Sequence, residues 1–148
     1  MAEKRFELEQ VLTYRVNVER VHTREFAVAK QDFEHAIDQL VLKENQMASI
    51  AREFCQRHGE LDSIEELRMY TNFFSRKRDE IKDQKERVEH LGHVMNDRRE
   101  TLLNATKDKK VLESLKERKA REFKHAMNLK EQIFMDEIAI QSKRHRSR

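Results

Sequence analysis

Apolar residues recur along this chain at alternating spacings of three and four, the period of a helix whose stripe meets one partner helix along its length. In the first part the stripe reads Val11, Tyr14, Val18 and Val21. A second phase follows with Phe26, Ala29, Phe33, Ala36, Leu40, Met47, Ile50 and Phe54, with Lys43 the one polar occupant. The slip between Val21 and Phe26 predicts a local change of winding there. Further on, Ile81, Val88, Leu91, Met95, Leu102, Ala105 and Leu112 make a narrower seam, with Gln84, Arg98 and Lys109 at the alternate positions. The long stems of Arg98 and Lys109 can cover apolar surface while their charges reach water.

Between the two seams lies one paired stop and start. Arg57 and His58 put positive charge where a helix ends, and Gly59 can close it in the left-handed conformation. Asp62 or Ser63 then offers an N-cap oxygen, and Ser63-x-x-Glu66 fits a capping box. One tight break between two long helical stretches predicts an all-α fold: an antiparallel two-helix coiled-coil hairpin, the second helix longer than the first. The expected boundaries in this single unit, 1–148, are helix one about 7–58, a turn about 59–62, helix two about 63–140, and a disordered basic tail about 141–148. Gly92, inside helix two, costs about 1 kcal/mol there and marks a bend or a close backbone approach.

Composition supports the narrow seam. Of 148 residues, 40% are charged and 37% hydrophobic, proline is absent, and the two glycines are 59 and 92. Such a chain cannot enclose a thick core, and its helical periodicity argues against the disorder that high charge otherwise favours. The single cysteine, Cys55, cannot form an internal disulfide, which suits a reducing compartment. The N-terminus lacks the apolar core of a signal peptide, and no run approaches a membrane span. The expected location is cytoplasmic, with any membrane association indirect.

Unequal helices leave a remainder. At about 1.5 Å per residue the helices would measure about 75 and 120 Å. Folding about Gly59–Leu61 sets residue 8 near residue 112, so everything after about Leu115 lacks a partner in its own chain. That arm carries Phe123, Met127, Ile133, Phe134, Ile138 and Ile140, an apolar stripe that reads as a docking surface or a frayed end. It overlaps the basic part of the chain, since residues 107–130 hold 9 Lys/Arg against 4 Asp/Glu.

Little points to catalysis. Two helices offer no concave pocket, one cysteine and scattered serines make no triad, and no Gly-rich phosphate loop is present, so neither an enzyme nor a cofactor is expected. Cys55-x-x-His58 and His90-x-x-His93 have metal-like spacing but lie far apart in the hairpin, and solvent-facing histidines are the better reading. The basic stretch from Lys107 to Arg121 reads as a solvated face or a phosphate binder. Interspersed Asp108, Glu113, Glu117 and Glu122 weigh against nucleic acid. Tyr70, Phe73 and Phe74, just past the turn, read either as exposed anchors for a partner or as a cap on the hairpin core.

Four stretches in order resemble the flagellar export protein FliJ family of the bacterial type III export apparatus. They are Arg5-Phe6-x-Leu8-x-x-Val11-Leu12-x-x-Arg15, Ser63-Ile64-Glu65-Glu66-Leu67-x-x-Tyr70-x-x-Phe73-Phe74, Ala105-x-x-Asp108-Lys109-Lys110-x-Leu112-Glu113-x-Leu115-Lys116-Glu117-Arg118, and Glu131-Gln132-x-x-x-Asp136-Glu137-x-Ala139. The resemblance implies a hairpin similar to the γ stalk of rotary ATPases, peripheral to the inner membrane at the flagellar base. Its helical ends would enter the flagellar export ATPase ring and promote ring assembly. It would also contact the cytoplasmic domain of the membrane export gate, and the chaperones of flagellar substrates. Carried over by position, Leu67, Tyr70, Phe73 and Phe74 face the gate, whereas Phe6, Arg15, Lys109, Lys110, Leu112, Leu115, Lys116 and Arg118 face the ring. Lys77 departs from the family, which often has an apolar residue there. Two alternatives stand beside this reading: the equivalent stalk of a virulence secretion system, and a basic coiled coil that binds nucleic acid or an anionic surface.

Overall fold

The computed structural model describes residues 5–57, 59, 60 and 63–146. Among them are two helices, α1 (Glu9–Arg57) and the longer α2 (Ile64–Arg146), and no strand. The fold is all-α. His58, Leu61 and Asp62, on which part of the expected turn rests, lie outside the described residues, as do Ser147 and Arg148.

Contacts divide the chain into two compact units, Val21–Leu103 and the described parts of Met1–Arg20 with Asn104–Arg148. In Val21–Leu103 the two helices run antiparallel as a hairpin. Arg57 ends α1 with its positive side chain in the last turn, and the Glu60 N–H donates to the Arg57 carbonyl at 2.9 Å. Gly59 is not left-handed: no glycine has positive φ, and a Cβ there would meet nothing within 4 Å. The short Arg57–Glu60 turn closes the helix end without that conformation. On the far side Ser63 caps α2, its Oγ accepting from the Glu65 N–H at 3.1 Å. The expected capping box is not made among the described residues: the Ser63 cap takes the Glu65 N–H rather than that of Glu66.

Ala29, Ala36 and Ile81 are buried in this unit, with Phe26, Phe33, Leu40, Met47, Ile50, Phe54, Val88, Leu91 and Met95 half-buried around them. Small residues at 29 and 36 let the helices approach closely. Gln84 is buried too, and its amide donates to the Ala36 carbonyl at 2.8 Å. Gly92 faces Phe33: a Cβ there would stand 3.2 Å from the ring, so a close approach accounts for this glycine.

The second unit packs differently. The α1 segment up to Arg20 lies against α2 from Asn104, with Leu12 and Ala105 buried. Of the expected stripe Val18 is half-buried, but Val11 and Tyr14 are exposed, Tyr14 by 61%, as is Val21 at the start of the other unit. Leu12 is buried, and Arg15, Glu19 and His22 are half-buried, as are Val16 and Val18 beside them; Leu12, Arg15, Glu19 and His22 define the seam. They continue the three–four spacing of Phe26, Ala29 and Phe33, so α1 keeps one phase and no slip occurs. The reason is electrostatic. Glu19 is tolerated in the seam because Lys109 and Thr106 hydrogen-bond it, and hydrophobicity alone does not register such a pair.

Helix α2 also continues beyond the expected end near Ile140, reaching Arg146. Nothing between Gly92 and Arg146 breaks a helix, and Lys143, Arg144 and Arg146 favour the negative pole of its last turn.

Candidate interaction surfaces

The residues expected at the ring-facing end come together in the second unit, but many are already engaged. The Lys109 ammonium donates to Glu19 Oε1 at 3.0 Å and lies 3.8 Å from Glu113. The hydrogen bond from Lys109, helped by Thr106, holds the Glu19 carboxyl below its usual value, while the bond to Glu19 raises Lys109 above its own. Arg15 donates to Asp108 at 3.2 Å, and Lys116 to Glu9 at 2.9 Å. Glu9 thus meets Lys116, about one helical turn further along α2 than the expected pairing of 8 with 112. Leu112, Leu115 and Phe6 are half-buried. Lys110 is exposed, and Arg118 is exposed with its guanidinium on Glu122 at 3.0 Å. Of the expected set, Lys110 and Arg118 therefore offer charge without a role in joining the helices.

From Lys116 to Arg146 every residue is exposed except Phe123 and Met127, which are half-buried. Ile133, Phe134, Ile138 and Ile140 are between 45% and 61% exposed. The uncovered apolar arm expected from unequal helix lengths is present.

At the turn, the aromatic residues gather on Phe54. The Tyr70 ring is 5.2 Å and the Phe74 ring 6.1 Å from it, and Phe73 stands edge-on to Phe74 at 5.8 Å. The Tyr70 hydroxyl accepts from Arg57 at 3.1 Å and donates to Glu53 at 3.3 Å. That hydrogen bond pushes the Arg57 pKa further up and ties α1 to α2. Lys77 lays its stem along the cluster, with Nζ 5.8 Å from the Phe73 ring centre and 3.3 Å from Glu80. All three rings are half-buried, so the cluster caps the hairpin. Leu67 is the exposed member of the expected gate-facing set, and Ile64 and Met69, absent from that set, are more exposed still. Phe54 was legible as a seam residue, but its role as the hub of these rings depends on which way each ring leans.

His90, His93 and Cys55 are exposed, while His58 lies outside the described residues. No group of three or more potential metal ligands occurs among the described residues. None of the described helices is long and apolar enough to cross a membrane.

One unit thus carries an uncovered apolar arm and the other a turn capped by aromatic rings. The family model described as "Flagellar FliJ protein" matches residues 4–148, essentially the whole chain, and the chain belongs to that family. It is a component of flagellar protein export and works with other parts of that apparatus. Searches of curated proteins and of solved structures give no match.

Proposed function

We propose that this chain is a non-enzymatic stalk of the flagellar export apparatus, acting without a cofactor. Its paired helical ends enter the ring of the flagellar export ATPase and promote ring assembly. The turn end contacts the cytoplasmic domain of the export gate, and the chain also receives substrate chaperones. Its membrane association is then peripheral, through the gate, at the cytoplasmic face. The observation that carries this reading is the uncovered arm after Lys116, apolar on one side, with exposed Lys107 and Lys110 ahead of it and exposed Arg118 at its start. A basic approach to an acidic lumen would speed encounter, and the apolar stripe would hold the bound state.

Ring contact falls to Lys110, Arg118 and the arm. Phe6, Arg15, Lys109, Leu112, Leu115 and Lys116 act by keeping the two helical ends together. Gate contact falls to Leu67 beside the rings of Tyr70, Phe73 and Phe74. Co-purification with the export ATPase tests the reading. The chain is expected to bind, and Lys110→Glu with Arg118→Glu to weaken binding to the ring more than binding to the gate. Absence of any complex with the ATPase overturns it.

A further inference from the structure

The arm has a second property besides its exposure: its charges are segregated. Arg118, Lys119, Arg121 and Lys124 crowd its first part, against Glu117 and Glu122. Glu131, Asp136 and Glu137 occupy its second part, and no lysine or arginine falls between Glu131 and Ser142. Arg118 and Lys119 share Glu122 within the helix. Lys124 and Glu131 have no ion-pair partner among the described residues.

Between Arg118 and Ser142, ahead of the basic last turn of α2, the arm is basic at one end and acidic at the other, and such a segment complements a reversed copy of itself. We infer that two copies of this chain pair antiparallel through their arms, covering the apolar stripe when no other partner does. Ala120, Phe123, Met127, Lys130 and Phe134 follow the three–four spacing of a coiled-coil seam, with Ile138 on the same face. The stretch from Ala120 to Ser142 spans about 35 Å, roughly three heptads. Laid antiparallel about a two-fold axis between residues 128 and 129, each Phe123 packs against the partner's Phe134. Met127 packs against the stem of the partner's Lys130, and Lys124 flanks the partner's Glu131. The symmetry makes each of these contacts twice.

Parallel pairing is disfavoured by the same charges. It would set the basic segment against its own kind and the acidic segment likewise. The inference is independent of the stalk reading, since an arm that enters a ring need not pair with itself, and an arm that pairs need not enter a ring.

Sedimentation of the full chain over a range of concentrations tests it. The mass is expected to rise from 17.9 kDa toward twice that value, and to fall back with added salt. Lys124→Glu or Glu131→Lys alone should weaken association about tenfold, and the two together should restore it. All these positions are exposed, so circular dichroism should show unchanged helix content. Direction is read from single cysteines placed in a Cys55→Ser background. Lys124→Cys mixed with Glu131→Cys should form the mixed disulfide in preference to either like pair. A mass fixed at 17.9 kDa at every concentration overturns the inference. So does a charge swap no better than its single changes, or a preference for like-with-like cross-links.

Discussion

Lys109 and Glu19 join the two helices of their unit through a 3.0 Å hydrogen bond, with side chains only 21% and 22% exposed. The pair occupies seam positions where a coiled coil usually places apolar residues. Its two partners titrate at opposite ends of the pH scale. Glu19 is held below the ordinary carboxylate value of 4.5, so its contribution is complete above that value and is lost as pH falls through the depressed one. Lys109 is raised above 10.5, so its contribution is complete below that value and is lost as pH climbs through the raised one. Melting temperatures of the wild type and Glu19→Gln should differ most between about pH 5 and pH 10, and converge outside that window.

A charged pair at a seam also makes single and double replacements behave differently. Lys109→Leu alone leaves Glu19 facing an apolar neighbour and should lower the melting temperature. Glu19→Leu with Lys109→Leu should restore or raise it, because two apolar residues suit the site without a desolvation cost. Thermal melts followed by circular dichroism check the order of the three proteins.

Gly59 and Gly92 should respond in opposite ways. Gly59 has ordinary φ and open space around it, so Gly59→Ala should stabilise the chain by about 0.4–1 kcal/mol through the unfolded state. Gly92→Leu must push against the Phe33 ring and should destabilise by about 1–3 kcal/mol. Combining it with Phe33→Ala should recover part of the loss, a coupling that denaturant unfolding of the four proteins in the cycle would measure.

Gln84 illustrates how a polar residue fixes register. Its buried amide needs the Ala36 carbonyl, and sliding the helices past one another would strand it. Gln84→Glu should cost about 1–3 kcal/mol at neutral pH, where a carboxylate cannot donate to that carbonyl. The loss relative to wild type should shrink in acid, where the protonated carboxyl donates again. Urea unfolding at pH 7 and pH 4 checks this.

These residues also show what the sequence could and could not reveal. The stripe from Phe26 to Phe54 was legible because apolar side chains fill it almost without interruption. The α1 segment before it was not, because Glu19 lies in the seam while Tyr14 and Val21 face water. A salt bridge between residues ninety positions apart leaves no mark on local hydrophobicity. The reversal of the chain was plain from its one cluster of capping residues, yet the conformation of Gly59 was not, since a permissive residue need not use its freedom. In the expected interaction sets, sequence gave the residue types and their order. Which cations were already spent on Glu9, Glu19 and Asp108, and which rings leaned onto Phe54, emerged only from packing.

The stalk reading rests on the helical ends engaging the export ATPase, and a titration of that ATPase with the full chain bears on it. ATP hydrolysis and ring assembly, followed by light scattering, should both rise with added wild type, and rise less with the Lys110→Glu, Arg118→Glu variant. An ATPase whose rate and oligomeric state stay unchanged at saturating wild-type chain would contradict it.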